Sequence, residues 1–431
     1  MRDGKEPAVS EPQTSTAPTR EAAEPPPLFS PFAVVASCVG FVLIGALQAL
    51  YGPAIPAFRE NFGLSPSAAG LGLSAHFIGG VAGVLLLNRV HGRWGNRALL
   101  STSYLLMAAG GLGLALAPNW PLALAGAAVT GLGFGGIDYG LNQLFAVGFG
   151  RRSPAMLNVI GAFYGIGAVG APALIALLGP ENYPAIFIGF AVLSAILMTT
   201  LGGVREGQRP GGAPLPDDSD NDTSSPHTAE EPADAADPPP LLRARPLPII
   251  MVFIALYVLM VSVETGVGGW EPTHLESIGH SASTAATATS AFWLMVTAGR
   301  FLVIPLTLRW PVEKIMVVSC VGMTGCLLLA LIPPIAPYAY AGVGLFHAPI
   351  FPIGLPWLSR AVPRAQRAGA YVIAASMIGG VAAAPVLGKG IEWAGVSTVP
   401  LLMTVPAVGC LIATGWLIRA TRPSVSAPTG R

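Results

Sequence analysis

Charge is what this 431-residue chain has least of. Asp, Glu, Lys and Arg together make up 10% of it, where a soluble globular chain carries about 25%. By contrast 52% is hydrophobic, and the mean hydropathy is +0.62. So little charge cannot cover a water-facing surface, which excludes an ordinary soluble domain and points to an integral membrane protein. Lysine occurs only at Lys5, Lys314 and Lys389, and the net charge is +1. With no basic patch beyond short loops, no nucleic-acid partner is expected. The four cysteines, Cys38, Cys320, Cys326 and Cys410, all fall in apolar runs, where they read as small buried hydrophobes rather than redox or metal groups. No spacing gathers His, Cys and carboxylates as a metal site needs, and no cofactor is implied. A nucleophile–base arrangement, a phosphate-cradling loop and a nucleotide-binding motif are absent too. The polar stretches are too short to fold into a catalytic domain. An enzyme is therefore not expected, and ATP-driven transport is disfavoured.

What is present is a series of long apolar runs. About 20 apolar residues cross the hydrocarbon core as a helix. Twelve such runs stand at roughly 31–52, 67–89, 98–117, 121–148, 155–179, 183–203, 247–270, 282–307, 313–333, 336–359, 368–388 and 394–418. The expected fold is all-α, twelve transmembrane helices in two six-helix halves, 31–203 and 247–419. Residues 1–30, rich in Pro, Glu, Thr and Ala, lack the basic start and apolar core of a signal peptide. They are expected to be a disordered cytoplasmic tail. The polar, aromatic-poor stretch 204–246 reads as a disordered linker between the halves, and 420–431 as a short cytoplasmic tail.

Basic residues set the orientation. With the N-terminus inside, the outer loops hold only Arg59 and Lys389, and the other 21 of the 23 Lys and Arg (23 − 2) fall on the cytoplasmic side or at its edge. Both termini are then cytoplasmic, in a multi-pass protein of the cell (inner) membrane.

The two halves repeat one another. SAHFIGGVAGVLLLNRVHGRW from Ser74 aligns with SAFWLMVTAGRFLVIPLTLRW from Ser290 at a constant offset of 216 residues. Ser74, Ala75, Ala82, Gly83, Arg93 and Trp94 meet Ser290, Ala291, Ala298, Gly299, Arg309 and Trp310. The same offset sets Gln48 over Glu264, Gly52 over Gly268 and Pro56 over Pro272, and GIGAVGAP ending at Pro172 echoes IGGVAAAP ending at Pro385. Six plus six parallel helices around a linker is an arrangement that resembles the major facilitator superfamily.

Within the fourth run stands GLGFGGIDYGLNQ, Gly131 to Gln143, with Asp138 at its middle. A carboxylate at mid-bilayer costs about 2.5–3.5 kcal/mol on insertion scales, so it survives facing other helices or water and marks an ion or solute path. Asn142, at i+4, shares its face, and Gly131, Gly133, Gly135 and Gly136 let neighbouring helices come close. This stretch is similar to the fourth helix of the fucose–proton symporter and related bacterial hexose transporters, in which an acid precedes Asn by four positions. TAGRFL, with Gly299, Arg300 and Phe301, resembles the end of their eighth helix. GLFHAPIFPIGLPWL and MIGGVAAAPVLG resemble their tenth and eleventh. The sequence departs from that family in two places. The first helix offers Gln48 and Tyr51 where the symporter has an acid. The loop HGRWGNR keeps Gly95 and Arg97 but has Gly92 where an Asp is usual.

The resemblance implies proton-coupled transport of a sugar, and the residues suggest who would carry it. An acid in apolar surroundings can take up and release a proton as access alternates, so Asp138 is the leading carrier. Glu264 is the second, in a run (ETGVGGW) with enough glycine to break or kink the seventh helix. Each could also be a neutral carboxyl serving structure alone. His76 and His347, inside the second and tenth helices, could relay protons or bind solute, or could simply bond neighbouring helices. Gln48, Asn142, Gln143 and Asn158 could hydrogen-bond a sugar, and Tyr51, Tyr139, Phe163, Tyr164, Trp270, Trp293 and Trp357 offer flat faces. Of these, Trp270 is expected at the outer interface. Arg300 and Arg93 fall at the inner end, where they could close a gate. The reading is a secondary active transporter moving a small polar solute, a sugar first, by proton symport (sodium could replace the proton), as a monomer in the lipid bilayer. Its rivals are a proton-driven exporter of a drug or natural product, and a non-transporting membrane sensor.

Overall fold

A computed structural model describes residues 28–91, 93–149, 152–205, 246–362 and 368–421. The tail 1–27, most of the expected linker 204–246 and the last ten residues lie outside the described residues. Thirteen α-helices are described: α1 Pro31–Phe62, α2 Pro66–His91, α3 Asn96–Ala115, α4 Trp120–Gly148, α5 Ser153–Leu178, α6 Tyr183–Thr199, α7 Pro246–Ser277, α8 Ala282–Thr307, α9 Val312–Leu329, α10 Ala336–His347, α11 Ile350–Ala361, α12 Ala368–Ala394 and α13 Val399–Ala420. Among the described residues, eleven helical stretches are long and apolar enough to cross a membrane, and α12 adds a further 27-residue helix. The α10 and α11 helices form one of these stretches, Pro333–Ala361, so the expected tenth span is made of two pieces.

Helix ends follow local chemistry. Ser30 caps α1 by accepting from Ala33 N at 3.2 Å, Asn119 caps α4 through Leu122 N at 3.1 Å, and Ser281 caps α8 through Thr284 N at 3.2 Å. Gly63 ends α1 in the left-handed conformation (φ 61) that only glycine enters freely. The span at α10–α11 breaks at Ala348–Pro349 because proline has no N–H to give and its ring clashes with the preceding turn.

The buried side chains form two cores, one per half. Those of the second-half core that come from the first half are Ala49, Ile55, Ala69 and Ala168, and the first-half core takes Ala286 and Ala384 in return. Nearly all are alanine. Lipid tails are as apolar as these side chains, so the halves gain from close contact rather than from burial, and small residues permit it. They meet through α2 on α12, α5 on α8 and α1 on α7. We call the end holding the α1–α2 turn distal, and the opposite end, which holds the start of α1, proximal. Ser67 N donates to Glu392 Oε1 at 3.0 Å, Ser74 Oγ donates to the Val381 carbonyl, and Gly70 abuts Ala384. The first of these is at the distal end, and the other two follow it along α2 and α12 toward the middle of the molecule.

The α7 helix corrects two expectations. It runs unbroken from Pro246 to Ser277, and its glycines serve packing: a Cβ on Gly266 would strike Met403 and Leu387. Trp270 is not at an interface with solvent or headgroups. It is 0% exposed, and its Nε1 donates to Ala384 O at 3.0 Å, so it tethers α7 to α12.

At the proximal end, residues just outside the first half pack onto it. Phe29 stacks on Phe149 (5.6 Å, 10°) and tilts against Phe145 (4.9 Å), and it pairs with Val204 in an isolated antiparallel bridge. Arg97 donates to Val204 O at 2.6 Å and Gly202 O at 3.0 Å, and Asn96 Nδ2 donates to Arg205 O at 3.0 Å. Leu28–Ser30 and Val204–Arg205, expected to be tail and linker, are therefore ordered against α3 and α4.

Candidate functional site

Five helices bring polar side chains toward the middle of the molecule. Glu264, on α7, is 14% exposed, and its Oε2 lies 3.6 Å from Nε2 of the buried His347 at the end of α10. The same Nε2 faces Met260 O at 3.3 Å. With two acceptors before it, Nε2 carries the ring proton, and Nδ1 is left buried without a partner. The break at Pro349 follows immediately, so His347 is held where regular helix stops. Interrupted helices of this kind are where transporters of this architecture expose polar groups to a cavity.

Across from this pair, α4 offers Asp138. Asn142 Nδ2 donates to Asp138 Oδ1 at 3.0 Å and to Asp138 O at 2.9 Å, so the amide fixes the carboxyl's orientation from one turn away. Tyr164 of α5 is close enough to both acids to feel the charges of Glu264, Arg300 and Asp138. It is positioned by its own backbone: the Tyr164 carbonyl packs on Gly45 of α1, where no Cβ would fit. Arg300 of α8 also acts on His347. It is exposed, and one turn before it Thr297 of α8 abuts Gly165 of α5 across the halves. The arrangement supplies two acids, one permanent cation, one imidazole and one phenol where α4, α5, α7, α8 and α10 approach one another.

Other expected site residues are placed differently. His76 is 1% exposed and sits inside the first half, where its Nδ1 meets Tyr51 OH at 3.3 Å and its ring packs on Phe134 at 4.9 Å. Its Nε2 has no partner. Tyr139, next to Asp138 in sequence, packs against the first-half core. Gln48 is half-buried on α1, one turn from Gly52. Asn158 is exposed near the proximal end of α5, and Arg93 is exposed in the α2–α3 turn. Sequence reasoning passed over the central place of Tyr164, for which the only signal was the glycine pair Gly165 and Gly167 beside it. On α8, Ser290 Oγ and Trp293 Nε1 are buried donors without partners; Trp293 had been noted for its flat face alone.

The family model described as Major Facilitator Superfamily matches residues 37–345. The chain belongs to the major facilitator superfamily. It is therefore a multi-pass membrane transporter for a small molecule, not an enzyme. A relative in Bacillus subtilis (strain 168), described as "Uncharacterized MFS-type transporter YfiU", is 26% identical over 135 residues, which are 31% of this chain and 26% of that one; the chain thus aligns with about a quarter of the relative's length. Among solved structures, a D-xylose–proton symporter superposes with a TM-score of 0.73 at 14% identity, covering 91% of this chain and 98% of that one. The E. coli fucose:proton symporter gives 0.53 at 17% identity, covering 90% and 98%. Likenesses at these identities show the shared fold. The twelve-helix, two-half expectation agrees with them.

Proposed function

We propose that the protein is a proton-coupled symporter for a small polar solute of the sugar class. The convergence of Asp138, Tyr164, Glu264, Arg300 and His347 from five helices onto one cleft between the halves carries this reading. Acids are costly within a bilayer and persist where they serve an ion or solute path. The resemblance of the α4 stretch to sugar–proton symporters, and the fold shared with two of them, support the sugar class.

In this mechanism Asp138 binds the coupling proton, and Asn142 steadies its carboxyl in either protonation state, because an amide can donate to the one and accept from the other. Glu264 and His347 form a second exchanging pair on the opposite wall. Solute hydroxyls are held by Asn142, by Gln48, which stands at the repeat position of Glu264, and by the free donors Ser290 and Trp293, with Tyr164 as a flat partner. Asn158 and Arg93 lie farther out, toward the proximal end; Tyr139 and His76 belong to the packing of the first half. Arg300 neutralises whichever acid has released its proton and marks the inner mouth. The charge bias of the loops makes the proximal end cytoplasmic, in the cell membrane. The contacts that join the halves toward the distal end, Ser67–Glu392 and Gly52–Gly268, then close the outer side.

The deciding experiment uses purified protein in liposomes loaded with a pH-sensitive dye, with pentoses, hexoses, deoxyhexoses and nucleosides added outside. Lumenal acidification with one solute, absent in Asp138→Asn, is the expected result. Binding and flux of a solute with no proton movement would overturn symport. Silence with every polar solute, together with proton-driven efflux of apolar dyes, would make the protein an exporter.

A further inference from the structure

Glu271 belongs to no group described above. It lies on α7 seven residues distal of Glu264, hence on the same face and about 10 Å along the axis. It is 0% exposed, and neither carboxyl oxygen has a hydrogen-bond partner. The antiparallel α10 repeats the spacing. His347 stands beside Glu264, and Tyr340, seven residues earlier, stands within reach of the charge of Glu271. The α7–α10 seam thus carries two stacked polar pairs. Beyond them, Tyr340 OH meets His274 Nδ1 at 3.1 Å. His274 in turn feels His280, in the α7–α8 turn, whose Nε2 meets Pro333 O at 3.0 Å at the distal surface.

The surroundings of Glu271 leave it little else to do. From α8 the facing group is Thr289, whose hydroxyl is engaged with Ala285 O at 3.3 Å. Its own helix presents His274, and α10 presents Tyr340. Among the described residues no Lys or Arg ion-pairs with it. An ionised carboxylate here would have no countercharge, and at most the shared Thr289 hydroxyl as a donor, which makes burial of the charge costly. A purely structural acid would be expected to bond a neighbouring helix firmly; this one has within reach only the Thr289 hydroxyl, which already donates to Ala285 O.

We propose that Glu271 is a second proton-binding site, distal to the solute cleft, which Tyr340 and His274 connect to the outer face. Glu271 takes a proton from that side and passes it, through intervening water, to the Glu264–His347 pair; only the proton moves, and each group returns to its starting form. This rests on the proton-coupled reading above. It adds that the proton enters along the seam of the second half while the distal end is shut to solute.

The test is infrared spectroscopy of the full chain in liposomes at neutral pH, combined with the acidification and counterflow assays. The wild type should show a protonated-carboxyl C=O band that Glu271→Gln removes. Solute-coupled acidification by that variant should fall roughly tenfold or more, as for loss of a positioned proton-transfer group, with counterflow within about twofold of wild type. Tyr340→Phe, which keeps the packing and the band, should slow acidification alone. A band untouched in Glu271→Gln, or unchanged acidification in both variants, would overturn the proposal while leaving Asp138-dependent symport standing. Uptake by the wild type without proton movement would instead overturn the coupling reading, and this site with it.

Discussion

Gly52 of α1 rests directly on the backbone carbonyl of Gly268 of α7, so closely that a Cβ on Gly52 would overlap that oxygen. The two are equivalent residues of the internal repeat, at its offset of 216. A residue touching its own repeat mate lies on the axis relating the halves, so this contact is the centre of the distal closure. Each glycine precedes a proline by four positions, Pro56 and Pro272, both inside their helices. Proline supplies no N–H to the carbonyl four residues back. Both glycine carbonyls are thereby released from their helices, and that of Gly268 is the one Gly52 meets.

Gly52→Val should therefore hold the halves apart at the distal end. The obstacle is backbone, which cannot rotate away as a side chain would. Ser74 is 4% exposed and donates to the Val381 carbonyl across the closure, so a cysteine placed there reports the gap. Labelling of Ser74→Cys by an impermeant maleimide should rise several-fold when Gly52→Val is added. An unchanged rate would mean that this contact does not keep the distal end shut.

Trp270→Phe tests the tether that holds α7 to α12 within the second half. The change keeps the ring and removes the N–H that Ala384 O accepts at 3.0 Å. One hydrogen bond is worth about 1 kcal/mol. Both partners lie in the second half, so the stability of that half should fall by about that amount, and labelling of the Ser74→Cys reporter should stay as in the wild type. A rise in labelling with stability unchanged would mean that the tether also bears on the contact between the halves.

Much of this was legible in the chain. Hydropathy over 18 or more residues identifies spans whatever their packing, and the repeat set Gly52 over Gly268 before any contact between them was known. The Asp138–Asn142 pair followed from helical spacing alone. What the sequence hid depends on where a helix ends and what lies across from it. The seventh run reads as roughly 247–270, with Trp270 at the outer interface, yet α7 continues to Ser277, because proline within a membrane helix is tolerated when neighbours accommodate the freed backbone. The glycines of α7 suggested a break, when they are the surfaces on which α1 and α13 rest. Tyr164 had only the neighbouring glycines as a local signal; the fold brings it near two acids that are more than a hundred residues apart in sequence.

Asp138→Asn should abolish accumulation against a gradient and spare exchange. The amide keeps the size of the carboxyl and can still bond Asn142, so the first half should fold and bind solute as before. It cannot release a proton, so the carrier is fixed as if protonated. Counterflow of labelled solute should persist while pH-driven accumulation is lost. Full accumulation by this variant would remove Asp138 from the coupling step.

Glu264 and His347 act as one unit if the 3.6 Å contact is what positions them. Glu264→Gln removes the acid, and His347→Gln removes the ring whose Nε2 proton is shared between Glu264 and Met260 O. For two groups in direct contact, the combined effect departs from the sum by about 0.5–3 kcal/mol. If they serve one step, either single change should cost coupled uptake nearly as much as the pair does, since the surviving partner is left without its counterpart. Rates of coupled uptake for the two singles and the double give the answer directly. Additive losses would mean that the histidine serves the break in the tenth span and the glutamate the cleft, each independently of the other.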